Sequence, residues 1–190
     1  GRGSKEFSMP RQWALAEPEA FSVLINLLVD ATSRYLIEQI RAGAEVVQLF
    51  DTWCGVLSET EFVKWVIGPT ERIVKEIRKE FGDVPIIGFP KGAGINYKQF
   101  VEETGVTGVS VDHSVPLRFI KEEIQGISPV QGNLDPKALV VGGLQLEESI
   151  ERIDKALGRG KYIFNLGHGI APDTPIKHVE KLAEIFHNQR

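Results

Sequence analysis

Apolar positions along this chain recur with two different spacings. Between Pro18 and Ala42, the residues Phe21, Leu24, Ile25, Leu28, Val29, Leu36, Ile37 and Ile40 fall mostly at steps of three and four, with polar Thr32 in the gap. That spacing predicts one long helix over 18–42, with Pro18 in its first turn and Gly43 ending it. Short apolar runs at 44–50, 84–89, 107–112, 127–131 and 162–166 lie among Gly, Pro, Asn and Asp, and each predicts a buried strand. Helical signals separate them. Ser58 with Glu61 has the spacing of a capping box, for a helix interrupted at Gly68-Pro69 and resumed to Phe81. Asn96–Thr104 predicts a short helix closed by Gly105, and Ser114 caps another to about Ile124. Residues 147–157 predict a helix stopped by Gly158, and Thr174-Pro175 opens a last one to about His187.

Strands thus alternate with helices, and no Asn-Gly type turn joins neighbouring strands, so the sheet is expected to be parallel. Two architectures compete. A doubly wound sheet of five strands is complete at 190 residues, whereas a (β/α)8 barrel needs three further strands, since five parallel strands cannot close. Gly92-Ala93-Gly94 lacks the third glycine and the acidic partner of a dinucleotide turn and reads as a loop. The start at Gly1-Arg2-Gly3-Ser4-Lys5, without an initiator methionine, and polar residues at every strand end favour a piece of a barrel.

Composition narrows the function classes. A net charge of -4 argues against a general nucleic-acid binder and leaves room for local basic patches. The single cysteine, Cys54, rules out an internal disulfide and a multi-cysteine zinc site, and suits a reducing, cytoplasmic compartment. No signal-peptide pattern is present, and no apolar stretch is expected to reach the roughly 20 residues of a membrane span.

In a parallel α/β architecture ligands collect at the carboxyl ends of the strands. Those ends read Phe50-Asp51-Thr52, Phe89-Pro90-Lys91, Asp112-His113, Gln131-Gly132-Asn133 and Asn165 through His168. Together they offer acids, histidines, a lysine, a hydroxyl and amides beside Phe50, Trp53 and Phe89, which suits an organic ligand of some size. Each also has a plainer reading. Asp51 and Asp112 satisfy loop amides, His113 and Lys91 are solvated, and Gln131 through Pro136 connects a strand to a helix. His168 stands between two glycines with little packing of its own, which points to a ligand contact. A Gly-x-Ser-x-Gly elbow, a P-loop, a His-x-Cys and a His-Glu-x-x-His are all absent, and Cys54 has no base beside it.

Four blocks, in order, carry a resemblance. They are Gly-x-Gly-Ser-Lys at 1–5, Gln39 through Gly55, Gln-Gly-Asn-Leu-Asp-Pro at 131–136, and Phe-Asn-Leu-Gly-His-Gly at 164–169 followed by Pro172. The chain resembles the uroporphyrinogen decarboxylase family, its bacterial members in particular, over essentially its whole length. The resemblance implies a (β/α)8 barrel of about twice this length, of which residues 1–190 are the C-terminal part with about the last five βα units. It also implies a cytoplasmic homodimer with no metal and no cofactor. The reaction implied is removal of carbon dioxide from the four acetate side chains of uroporphyrinogen III, giving coproporphyrinogen III. Thr52 matches a position that hydrogen-bonds a substrate carboxylate, Phe50 an aromatic wall beneath the macrocycle, and His168 a substrate contact from the last strand. Asp51, Asn133 and Asp135 are expected only to support the structure.

The family's catalytic aspartate and its carboxylate-binding arginines would lie upstream of Gly1, as would a tyrosine that precedes its Gly-rich loop. No arginine occurs at any of the five strand ends, although a polyanionic substrate demands several cations. This chain alone is therefore expected to bind weakly and not to turn over. Two other readings remain open. A corrinoid-linked methyltransferase of the same superfamily needs zinc on cysteines that are missing here. A non-catalytic flavodoxin-like binding domain would be complete as it stands.

Overall fold

The computed structural model describes residues 7–187; the match at Gly1–Lys5 lies outside the described residues. By contacts the chain divides into two compact units, one ending at Val109 and the other beginning at Ser110.

The first unit opens with α1 (Ser8–Ala16) and α2 (Pro18–Arg41), then β1 (Val47–Asp51) and a single 3-10 turn at Cys54–Val56. There follow α3 (Glu59–Phe62), a wide π turn at Val63–Ile67, α4 (Gly68–Glu80), β2 (Ile86–Pro90) and α5 (Tyr97–Thr104). The chain then enters β3 (Gly108–Val111), where the division falls. The second unit continues with α6 (Leu117–Phe119), a π turn to Ile124, β4 (Val130–Leu134), α7 (Pro136–Val141), α8 (Gly143–Leu157), β5 (Tyr162–Leu166) and α9 (Ile176–His187). The strand order is β1-β2-β3-β4-β5. β1 pairs parallel with β2 from Val47↔Ile86 to Asp51↔Pro90, and β4 with β5 from Val130↔Tyr162 to Leu134↔Leu166. The expected alternation of parallel strands with helices is what the fold contains.

In the first unit the core forms where α2 and α4 lie on the strands. Val29, Leu36 and Ile40 meet Val47, Ile73, Val74, Ile77 and Ile86. The Arg78 guanidinium ties the entry to β2 by donating to the carbonyls of Gly82 (2.8 Å) and Val84 (2.5 Å) and to the Thr107 hydroxyl (2.8 Å). In the second unit Val130, Leu134, Leu139, Leu146, Ile150, Ile153 and Leu157 are buried. β5 is only half-covered, and α9 has no buried residue among those described.

Several expectations are corrected. α1 and α7 were not anticipated. The helix interruption expected at Gly68-Pro69 falls just before it, in the π turn at Val63–Ile67, and α4 resumes at Gly68. The proline lacks an N–H, and the wide turn just before it absorbs the loss, with the Gly68 N–H reaching back to the Val63 carbonyl. Ser114 does not cap a helix, because its hydroxyl goes to Asp112 and Pro116 stands at the cap position. Gly132 and Asn133, expected to terminate a strand, lie inside β4. Leu24 and Leu28 of the expected buried stripe are exposed. α2 is also long and apolar enough to cross a membrane by length and composition, against the sequence expectation, though few residues of its most apolar stretch are buried.

Candidate functional site

The end of β1 is the best-defined local arrangement. The ladder with β2 stops at Asp51↔Pro90, so Thr52 and Lys91 are the next residues on two adjacent strands, whose spacing is about 4.8 Å. Main-chain contacts hold the two turns that leave these strands. The Lys91 N–H donates to the Asp51 carbonyl at 2.9 Å. The Cys54 thiol lies 3.4 Å from the carbonyls of both Asp51 and Lys91. Gly55 and Gly92 approach so closely that a Cβ on Gly55 would stand 2.7 Å from the Gly92 oxygen.

On this base the side chains project outward. Phe50 is 69% exposed, its ring edge-on to Phe89 at 6.1 Å, and Trp53 is 62% exposed. Thr52 is half-buried. The Lys91 ammonium lies 6.0 Å from the Trp53 ring centre and forms no ion pair among the described residues. Asp51 points inward. Burial raises its carboxyl pKa, partly offset by hydrogen bonds from the main chain at Trp53 and Cys54. Beside it an apolar cavity of about 210 Å³ is lined by Phe7, Arg11, Phe21, Asp51, Trp53 and Trp65 among others.

The second unit holds the other three strand ends. Asp112 is buried and accepts from the Ser114 N–H at 3.0 Å and from its hydroxyl at 2.5 Å. Asn133 spends its amide on the carbonyls of Asp112 (3.2 Å) and Val115 (3.1 Å), and Gln131 donates to Ser110 at 3.2 Å. Asp135 caps α7 by accepting from the Lys137 N–H at 2.9 Å. Gly167 packs so tightly on His113 that a Cβ there would lie 2.3 Å from the His113 nitrogen, while the Gly167 N–H donates to the Leu134 carbonyl at 2.7 Å. This close approach explains the first glycine of Gly-His-Gly. His168 comes directly after it, exposed, two residues beyond β5. Phe50 and Thr52 thus share one strand end with Trp53 and Lys91 in the first unit. His168 belongs to the second unit, next to the turn that Asp112 and Asn133 organise. Among the described residues no three His, Cys, Asp or Glu side chains gather as metal ligands.

Residues 1–189 match the family model for uroporphyrinogen decarboxylase. The chain belongs to the uroporphyrinogen decarboxylase family. It is 48% identical to the uroporphyrinogen decarboxylase of Rhodospirillum rubrum over 190 residues, which is all of this chain and 55% of that protein. Its similarity to the Mesorhizobium japonicum enzyme is 49% over 184 residues, covering 97% of this chain and 53% of the relative. The chain therefore spans about half the length of the curated relatives it matches. A crystal structure described as that of a candidate vitamin-B12 independent methionine synthase from Listeria monocytogenes superposes with a TM-score of 0.57 at 17% identity, over 92% of this chain and 55% of that one. At that identity the likeness concerns the fold alone.

Family membership agrees with the motif blocks from which it was expected. What the sequence left unremarked is the company that Thr52 keeps. Lys91 was read as a solvated loop lysine and Trp53 only as an aromatic neighbour. The signal available was positional: Pro90 ends an apolar run of the same kind as 44–50, so Lys91 falls one residue beyond a strand end, as Thr52 does.

Proposed function

We propose that the chain is the C-terminal part of a (β/α)8 uroporphyrinogen decarboxylase. In this reading about five βα units come from residues 1–190, and three further units close the ring. The whole enzyme removes carbon dioxide from the four acetate side chains of uroporphyrinogen III to give coproporphyrinogen III, as a cytoplasmic homodimer. The observation that carries this reading is the 48% identity to a named decarboxylase across all 190 residues. Phe50, exposed, and Thr52, half-buried, both at one strand end, support it.

The chemistry asks for an electron sink. When the carbon–carboxylate bond breaks, its electron pair must enter a π system, and a protonated pyrrole ring of the substrate supplies one. A proton then adds at the side-chain methylene to give a methyl group, and the ring gives up its extra proton. No cofactor is required for this balance. The protein's part is positional and electrostatic. Thr52 donates its hydroxyl to a substrate carboxylate, Phe50 forms an apolar wall that keeps water from the ring, and His168 hydrogen-bonds the substrate from beyond β5. No catalytic residue is assigned within this chain, and the group that steadies the ring cation is an aspartate supplied by the preceding part of the enzyme.

The test is anaerobic incubation of uroporphyrinogen with this chain, alone and co-refolded with the N-terminal remainder of the Rhodospirillum rubrum enzyme. Products are separated by carboxylate count after oxidation. Decarboxylated products only in the presence of the complement are expected. Turnover by the chain alone would contradict the incomplete-barrel reading, and no turnover in either case would refute the assigned substrate.

A further inference from the structure

We propose that Lys91 receives a carboxylate of the bound tetrapyrrole while the exposed Trp53 ring packs against its edge, which makes the two residues a recognition pair beside Thr52. The inference rests on the tetrapyrrole reading above and deepens it. A substrate carrying many carboxylates needs cations at the strand ends, and the sequence places no arginine at any of them. Lys91 is the one lysine at such an end. The register sets it level with Thr52, each being the first residue past the pair Asp51↔Pro90. Its backbone is held by the 2.9 Å bond to the Asp51 carbonyl and by the Gly55–Gly92 contact, so the base of the side chain does not wander.

The side chain itself is uncommitted. It is half-buried, and no carboxylate among the described residues pairs with it. A lysine at a strand end without a counter-charge can donate a charge-assisted hydrogen bond to an incoming carboxylate. What surrounds it selects the kind of anion. Trp53 at 62% and Phe50 at 69% exposed leave two large aromatic faces open on the same strand end. Large aromatic faces in water beside a bare cation suit a flat, apolar, carboxylate-bearing molecule better than a small hydrophilic anion. The Lys91 ammonium already sits 6.0 Å from the Trp53 ring centre, at the outer limit of an attractive cation–ring contact. It can therefore leave that position for a carboxylate at little cost.

The test uses uroporphyrin I, the stable oxidised octacarboxylate, titrated into the 190-residue chain at several salt concentrations and read by porphyrin absorbance. Lys91→Ala is expected to weaken binding about fivefold to tenfold and to flatten its salt dependence. Lys91→Arg restores most of both. Trp53→Leu weakens binding without changing the salt dependence. Lys155→Ala, which removes an exposed charge from α8, binds like the parent. Coproporphyrin I, a tetracarboxylate, loses less than uroporphyrin I when Lys91 is replaced. Equal affinity of the parent and Lys91→Ala at low salt overturns the assignment of Lys91 and leaves the tetrapyrrole reading standing. Absence of binding to the parent, both alone and co-refolded with the N-terminal remainder, overturns both. A loss on Lys155→Ala as large as on Lys91→Ala overturns the pair in favour of a diffuse charge effect.

Discussion

Gly132→Ala is expected to be among the most damaging single-methyl additions to this fold, and the structure separates the causes. Gly132 lies in β4 with φ at +124°, and an added Cβ would stand 2.4 Å from the Val111 carbonyl oxygen. Each feature carries its own cost. A residue with a side chain held at that φ is strained by roughly 1–3 kcal/mol, and the backbone must retreat by nearly 1 Å to clear the oxygen, at a further cost of about 1–3 kcal/mol. The sum, about 2–6 kcal/mol, is a large part of the 5–15 kcal/mol typical of a folded domain. Two other glycines isolate the parts. Gly43 has φ at +107° with nothing within 4 Å of an added Cβ, so Gly43→Ala meets the strain alone. Gly88 has no positive φ, but its Cβ would lie 2.5 Å from Phe100 Cε1, so Gly88→Ala meets the clash alone, against a side chain that can yield. Urea unfolding of the three variants, followed by circular dichroism, should give Gly132→Ala a loss at least as large as the sum of the other two. A loss within about 0.5 kcal/mol of that for Gly43→Ala would refute the steric part of this account.

Glu61 has its carboxyl pKa lowered, chiefly by the Ser58 hydroxyl in the capping box that opens α3. The stabilisation is therefore present above the ordinary glutamate range and lost as pH falls through the lowered value. Glu61→Gln should cost about 1 kcal/mol at pH 7, a difference that vanishes in acid when unfolding midpoints are compared. Asp51 shifts the other way, raised by burial, so its ionisation opposes folding. The parent should gain stability as pH falls through the raised value towards the ordinary aspartate range, and Asp51→Asn should lose that slope in the same measurement. Arg78→Ala removes donors from the carbonyls before β2 and from Thr107. A loss of about 2 kcal/mol is expected, and Arg78→Lys should recover little of it because a single ammonium cannot fork to several acceptors. Thr52→Val should weaken uroporphyrin I binding severalfold by absorbance titration, with no change in unfolding midpoint.

How far the sequence spoke depended on how local the cause was. Tyr162–Leu166 stands where an apolar run bounded by glycines put it, and Gly105 ends α5 with φ at +73° as expected. The capping box at Ser58 was legible because both partners lie within four residues. Errors arose where a competing partner or turn, near or far along the chain, claimed the residue. Pro69 reads as the break itself, whereas the break is the wide turn at Val63–Ile67 just before it. Ser114 reads as a cap until Asp112 claims its hydroxyl. Gly132 and Asn133 read as a terminus until the Asn133 amide is seen bridging the carbonyls of Asp112 and Val115. In the site, Phe50, Thr52 and His168 came from motif likeness, and Lys91 was named at a strand end, but its place level with Thr52 required the β1–β2 register.

The same register explains why side chains at the β1 end are suited to dissection. What holds that end is main chain and one buried thiol: the Lys91 N–H on the Asp51 carbonyl, the thiol of Cys54 against two carbonyls, and Gly55 lying on Gly92. None of these contacts uses the side chains of Thr52, Trp53 or Lys91. Replacing any one of the three leaves the scaffold's hydrogen bonds in place, so a change in ligand binding reports the contact that was removed. Gly55→Ala should behave in the opposite way. Its Cβ would drive the two turns apart at the Gly92 oxygen, 2.7 Å away, and the effects of losing Thr52 and Lys91 should then appear together. If Gly55→Ala instead leaves porphyrin binding untouched, the two turns are not the joint platform that the close contact implies.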